Sequence, residues 1–243
     1  VAALGILALA ACAPLPPQPD ASDRAAAQLG VLSLGTAQPG RFDAITVRLD
    51  LPASAAGSVL SLPDSWGPEE NLSQLRRDVA FRGMERLPGE GEAYRVAPGG
   101  GWIAYRVAQD YDGEPDWETH RLPGMRVRTA RTHAFLLGQT VLPTWSQGGV
   151  PLTLDLRSLP QRAAFSFAPG DCAAGCVLED LANSVLALGD FAFDTRQAGD
   201  TTVRSAIRGS FAMDADAMSG VLAGMLDQGA QRFDDAPFAS YVF

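Results

Sequence analysis

Alternation of apolar and polar residues runs through the first two thirds of the chain. In residues 42–51, Asp43, Ile45, Val47, Leu49 and Leu51 alternate with Phe42, Ala44, Thr46, Arg48 and Asp50. The first set is mostly apolar, which predicts a half-buried strand. Residues 25–34 are weakly patterned and fit either a helix or a loose first strand. Residues 59–62 read as a short strand stopped by Pro63, followed by a turn-rich loop over 63–68. Residues 71–77 suit one helical turn. Residues 79–87 return as a strand, closed by the hairpin signal Pro88-Gly89-Glu90-Gly91. Residues 94–97 are expected to pair with 102–111 across Pro98-Gly99-Gly100-Gly101. There Trp102, Ala104, Arg106 and Ala108 share one face, and Ile103, Tyr105, Val107 and Gln109 the other. Residues 110–123 are polar and acidic and read as a surface loop. Further strands are expected within 127–141, over 150–156 and over 163–167. Closely spaced strands with little helix predict an antiparallel β-sandwich over roughly 39–170.

The pattern changes near Leu181. Residues 181–243 read as strand, strand, amphipathic helix, strand. Met218, Val221, Leu222, Met225 and Leu226 fall at helical spacing and predict an apolar helix face. Asp214 or Asp216 caps its start. Gly229 and Asp234-Asp235-Ala236-Pro237 are expected just past its end. Phe238-Ala239-Ser240-Tyr241-Val242-Phe243 begins a strand-like run at which the sequence stops, and a truncated second domain is expected there.

The first twelve residues stand apart. Residues 1–11 are small and apolar, too short to span a bilayer, and precede Cys12. They read as the apolar region of a secretory signal. Leu9-Ala10-Ala11-Cys12 resembles the lipobox of bacterial lipoproteins, which implies cleavage before Cys12 and transfer of diacylglycerol to its thiol. Membrane lipid is then a partner, and the chain is placed in the bacterial cell envelope, periplasmic or surface facing. The alternative is an ordinary signal peptide with an incidental cysteine. Residues 13–38, with Pro14, Pro16, Pro17 and Pro19, read as an extended tether. The expected division is therefore signal at 1–12, tether at 13–38, β-sandwich at 39–180 and a second domain at 181–243.

Composition narrows the function classes. The chain has 243 residues, 47% of them hydrophobic, and a mean hydropathy of +0.02. This is globular composition. A net charge of −9 disfavours nucleic acid as a partner. All basic residues are Arg, which the composition of the coding sequence explains. Cys172 and Cys176 bracket three residues, a spacing that suits a local disulfide in an exported protein. Free thiols are the alternative, and a zinc site would need further ligands that do not lie nearby. His120 and His133 read as a loop residue and a strand residue. Asp214 and Asp216 lack the spacing of a calcium loop. Pro98-Gly99-Gly100-Gly101 is followed by no Lys and opens no helix, so it is no phosphate loop. Trp66, Trp102, Trp117 and Trp145 suit core and loop packing better than a peptide-binding surface.

A sequence of short motifs resembles one family. Leu60-Ser61-Leu62-Pro63-Asp64-Ser65-Trp66-Gly67 looks like a strand entering a Pro-Xaa-Trp-Xaa-Pro-Gly loop. Leu75-Arg76-Arg77-Asp78-Val79 and Trp102-Ile103-Ala104-Tyr105-Arg106-Val107 continue it. Phe135-Leu136-Leu137-Gly138 sits where the family has Phe-Xaa-Asn-Gly-Thr, without the Asn. The run Leu181-Ala182-Asn183-Ser184-Val185 is similar to Leu-Xaa-Asp-Ser-Pro, with Asn183 for Asp and Val185 for Pro. In this order they resemble the glycyl-aminopeptidase group of zinc metallopeptidases, relatives of thermolysin. The resemblance implies a mainly β N-terminal domain followed by the start of an α+β catalytic domain. It also implies peptide substrates for the full-length protein. In that family zinc is held by His-Glu-Xaa-Xaa-His and a downstream Glu, a pattern absent from these residues. Zinc is therefore expected in a further region, and this chain alone is expected to be inactive, with no catalytic or metal-ligating residue of its own. The competing expectation is a complete β-rich surface lipoprotein that binds a partner or serves as a scaffold.

Overall fold

A hairpin of alternating residues starts the fold. Strands β1 (Gly30–Gln38) and β2 (Arg41–Leu51) pair antiparallel, across a turn in which Gly40 takes φ +71°. The computed structural model describes residues 29–67, 69–89, 91–108, 127–159, 163–166, 172, 175–235 and 238–243. Next come β3 (Val59–Leu62), β4 (Ser65–Trp66), β5 (Glu69–Glu70), a 3-10 turn at Leu72–Leu75, β6 (Arg76–Arg82), β7 (Met84–Arg86), β8 (Glu92–Val96) and β9 (Gly101–Val107). After them lie β10 (Arg128–Thr129), β11 (His133–Leu137), the short helix α1 (Gly138–Val141), β12 (Thr144–Gln147), β13 (Leu152–Ser158), β14 (Ala163–Phe165) and α2 (Leu178–Ala182). The chain continues with β15 (Val185–Gly189), β16 (Ala192–Ala198), β17 (Thr201–Ile207), the long helix α3 (Ala215–Phe233) and β18 (Ser240–Val242).

The molecule is mainly β. One sheet runs β13-β1-β2-β9-β6, a second β12-β3-β8-β7 and a third β10-β11-β15-β14. The inward residues of the three sheets form one core that includes Leu32, Ile45, Leu49, Leu60, Ile103 and Leu136, all essentially inaccessible to water. Each such side chain contributes about 1.5–3 kcal/mol through removal of apolar surface from water. A fourth sheet, β16-β17-β18, carries α3 and has its own small core of Ala198, Val203 and Ala223, with Leu226 against it.

The faces expected from alternation are present: Ile45, Val47, Leu49 and Leu51 of β2 are buried, as are Ile103, Tyr105 and Val107 of β9. Of the two readings of the weakly patterned start, the strand is the one that forms, from Gly30 onward. Several other elements depart from expectation. The loop after Pro63 contains the small hairpin β4–β5. Residues 79–87 are not one strand. The run breaks at Gly83, so that β6 joins β9 in the first sheet while β7 joins β8 in the second.

The expected β8–β9 hairpin is not made. β8 pairs with β3 and β7, and β9 with β2 and β6. Pro98-Gly99-Gly100-Gly101 carries the chain from one sheet to the other. Gly83 and Gly100 have φ of +67° and +78°, and a Cβ on either would strike neighbouring backbone. Only glycine allows so close a corner. Two pairs are parallel, β1 with β13 in the first sheet and β17 with β18 in the fourth.

The long helix runs through Gly229 to Phe233 and stops at Asp234, in the left-handed conformation at φ 51°. Asp214 caps its start: the Ala217 N–H donates to Asp214 Oδ1 at 2.7 Å, worth about 1 kcal/mol. Asp216 instead pairs with Arg196 at 2.5 Å. The packed face differs from the expected apolar one. Ser219 and Ala223 are buried, whereas Val221 and Met225 are 49% and 66% exposed. Small residues win because they let the helix approach β16 and β17 closely, and Ser219 and Ser205 then share a buried hydroxyl hydrogen bond of 2.5 Å.

Candidate functional site

Two of the motif segments, far apart in sequence, meet in space. The Gly138 N–H donates to the Ser184 carbonyl at 2.8 Å. Gly138 lies so close to the Leu181 and Ala182 carbonyls that any Cβ would collide with them. Gln139 Nε2 donates to Asn183 Oδ1, and the Ser184 hydroxyl donates to the Leu181 carbonyl. The Gln139 Oε1 atom is buried and has no partner among the described residues. α1 and α2 thus clasp each other just before β15 leads into the fourth sheet. The contact fixes the direction in which the chain leaves the β-rich part.

A second feature lies between the first two sheets. The Arg76 side chain is 2% exposed. Its Nε donates to Glu92 Oε2 at 3.3 Å and its Nη1 to the Pro63 carbonyl at 2.7 Å. Its Nη2 is buried without a partner among the described residues. β6 is thereby tied to β8 and to the end of β3. Nearby, the Tyr105 hydroxyl donates to the Val141 carbonyl at 2.6 Å, and burial pushes its pKa well above the usual phenol value. Sequence reasoning missed the role of Arg76, because a charged residue in a charged run reads as solvated.

The remaining candidate residues do not converge. Cys172 and Cys176 form a disulfide with their Cα atoms 4.7 Å apart. Cys176 also bridges β13: its N–H donates to the Leu152 carbonyl at 2.7 Å, and the Leu152 N–H donates back at 2.9 Å. Cys12, His120 and Trp117 lie outside the described residues. Trp66, Trp102 and Trp145 are half-buried in separate places, Trp102 beneath the Arg48 guanidinium at 4.6 Å. A shallow groove of about 420 Å³ crosses the first sheet, lined by Ser33, Thr46, Arg48, Asp78, Arg106 and Ser158. Its charges are answered locally, Arg48 by Asp50 and Arg106 by Asp78. Arg157 holds the Asp155 carboxyl down to about 2, so that pair persists into acid.

Zinc chemistry does not fit these residues. Among the described residues no group of three or more His, Cys, Asp or Glu could hold a metal ion. His133 sits on β11 with its ring edge-on to Phe191 at 5.8 Å. Burial and then the nearby Arg208 and Arg128 lower its pKa from 6.5, opposed by Asp190. The unfolded chain therefore takes up this proton more readily than the folded one. Its contribution to stability is full above pH 6.5 and is lost as pH falls through the window below that value. An NMR titration should place the His133 midpoint below 6.5, and His133→Gln should flatten the fall in unfolding free energy there. A midpoint at or above 6.5 contradicts this assignment.

Together, the three-sheet β body and the helix-bearing fourth sheet form a fold that is also seen within a solved structure of an aminopeptidase N family protein. That protein is the one from Idiomarina loihiensis, similar at a TM-score of 0.65 and 14% sequence identity. The likeness covers 88% of this chain and 38% of that one. The M1 zinc metallopeptidase from Deinococcus radiodurans aligns over 89% of this chain and 55% of its own, at 14% identity and TM-score 0.40. Legionella pneumophila aminopeptidase A in complex with aspartic acid aligns over 89% and 28%, at 8% identity and TM-score 0.41. These two alignments are too loose to define a fold. No family model matches the sequence, and no curated protein matches it.

Proposed function

We propose that this chain is the non-catalytic front portion of a zinc aminopeptidase of the glycyl-aminopeptidase kind, acting on peptides and anchored to membrane lipid through Cys12 in the cell envelope. The observation that carries the reading is the fold likeness: 88% of this chain overlays 38% of an aminopeptidase N family structure. The motif order supports it, and so does the meeting of two motif segments at Gly138. The β body then serves as a rigid support, and the clasp between α1 and α2 sets the approach of the catalytic part. The zinc ligands belong to a region beyond this chain in this reading, which the lack of a metal-binding cluster among the described residues supports.

The test is to read the coding sequence past the codon for Phe243 and to assay the full-length product. The expected result is a helix carrying His-Glu-Xaa-Xaa-His and release of N-terminal glycine from peptides, abolished by a chelator and restored by zinc. A frame that closes at once, or continues without those ligands, overturns the reading and leaves a lipid-tethered binding module.

A further inference from the structure

Part of the apolar stripe of α3 faces away from its sheet: Leu226 packs against the small core, while Val221 and Met225 are exposed. Met218, Val221, Leu222, Met225 and Leu226 are the residues whose spacing predicts burial, yet the fully buried residues of the helix are Ser219 and Ala223. At about 100° per residue the stripe is turned roughly a third of a turn from the packed side. Nine large apolar side chains are exposed among the described residues, and seven of them lie from Phe211 to Phe243. The β-rich body supplies only Phe81 and Val177. Scattered exposed apolar residues are ordinary, but such concentration on one part of a molecule marks a contact surface. β18 adds a second unfinished feature. It hydrogen-bonds β17 on one side, and its other edge meets no strand among the described residues. An open strand edge invites pairing with more polypeptide.

We propose that the outer face of α3, centred on Val221 and Met225, is the surface on which the remainder of the full-length protein packs. The inference rests on the proposed function in one respect, that a longer protein exists. The occupant is argued from length: the aminopeptidase N family structure with this fold extends well beyond the 38% that this chain overlays. An intramolecular occupant also suits the composition of the patch. Its exposed large side chains, Val221 and Met225, are uncharged and apolar.

Methionine oxidation provides a test that does not depend on activity. The full-length protein is treated with dilute peroxide in its native state and again in urea, and the Met225 sulfoxide is followed by mass spectrometry. In the described structure Met225 is 66% exposed, so without a cover its native and unfolded rates should agree within about twofold. The expected result is native oxidation slower by about tenfold or more, independent of protein concentration. Equal rates overturn the proposal. Protection that disappears on dilution also overturns it, because the occupant is then a second copy. Protection of Met225 in a product that lacks His-Glu-Xaa-Xaa-His keeps the contact surface and removes only the peptidase reading.

Discussion

Replacing Glu92 with alanine is expected to lower the unfolding free energy by about 3 kcal/mol, the lower end for breaking a buried ion pair. The charge left behind is the reason. Arg76 is almost wholly enclosed, and among the described residues its guanidinium hydrogen-bonds Glu92 and the Pro63 carbonyl, with Nη2 already unmatched and Asp64 acting only through space. Glu92 itself is 23% exposed, so water softens the pair from its side. Arg86 reaches Glu92 only at 4.0 Å and from an exposed position, and so adds little. The double variant Arg76→Met with Glu92→Ala should recover most of the loss, because no charge is stranded and the methionine fills much of the same space. Urea unfolding of the parent, the single variant and the double variant checks this. If the double variant is as unstable as Glu92→Ala, the loss arises from packing around Glu92 instead.

The second large effect is expected at the corner between the sheets. Gly100→Ala should cost about 3 kcal/mol or more, combining a left-handed backbone with a backbone collision. Gly100 has φ +78°, and its missing Cβ would fall on the Leu51 carbonyl and the Pro52 backbone. Neither obstacle is a flexible side chain, so the corner would have to open. The adjacent Gly99 has no neighbour within 4 Å of its would-be Cβ. Gly99→Ala should therefore be neutral, or stabilising by about 0.5 kcal/mol through the unfolded chain. Thermal and urea unfolding of both variants separate the two positions, and similar losses at each would contradict the corner geometry.

These two sites show where the sequence could be read and where it could not. Period-two alternation reports which residues of a strand share a face, so the buried sides of β2 and β9 were legible. It does not report which strand lies alongside. The turn-like Pro98-Gly99-Gly100-Gly101 looked like a hairpin, and only the backbone contacts of Gly83 and Gly100 show it as a crossing between sheets. The helix was legible from its spacing and its cap, but its packed side was not. Apolar periodicity selects the greasiest face, while close approach to β16 and β17 selects the smallest side chains. At Gly138, a substituted motif still kept its glycine, because the Leu181 and Ala182 carbonyls leave no room for another residue. Arg76 gave no signal, since burial of a guanidinium depends on partners from other strands.

The parallel pairing of β1 with β13 bears on the order of folding. β1 lies inside the first sheet, with β2 on one side and β13 on the other, and Gly30 stands opposite Leu152. The hairpin of β1 and β2 can form as soon as it emerges from the ribosome. Its second edge then stays open until the chain has been made past Ser158. Pairings so distant along the chain are slow to close, and an unpaired inner strand is prone to join other chains meanwhile. The nascent chain therefore passes through a stage in which β1 is paired on one edge alone, until β13 arrives.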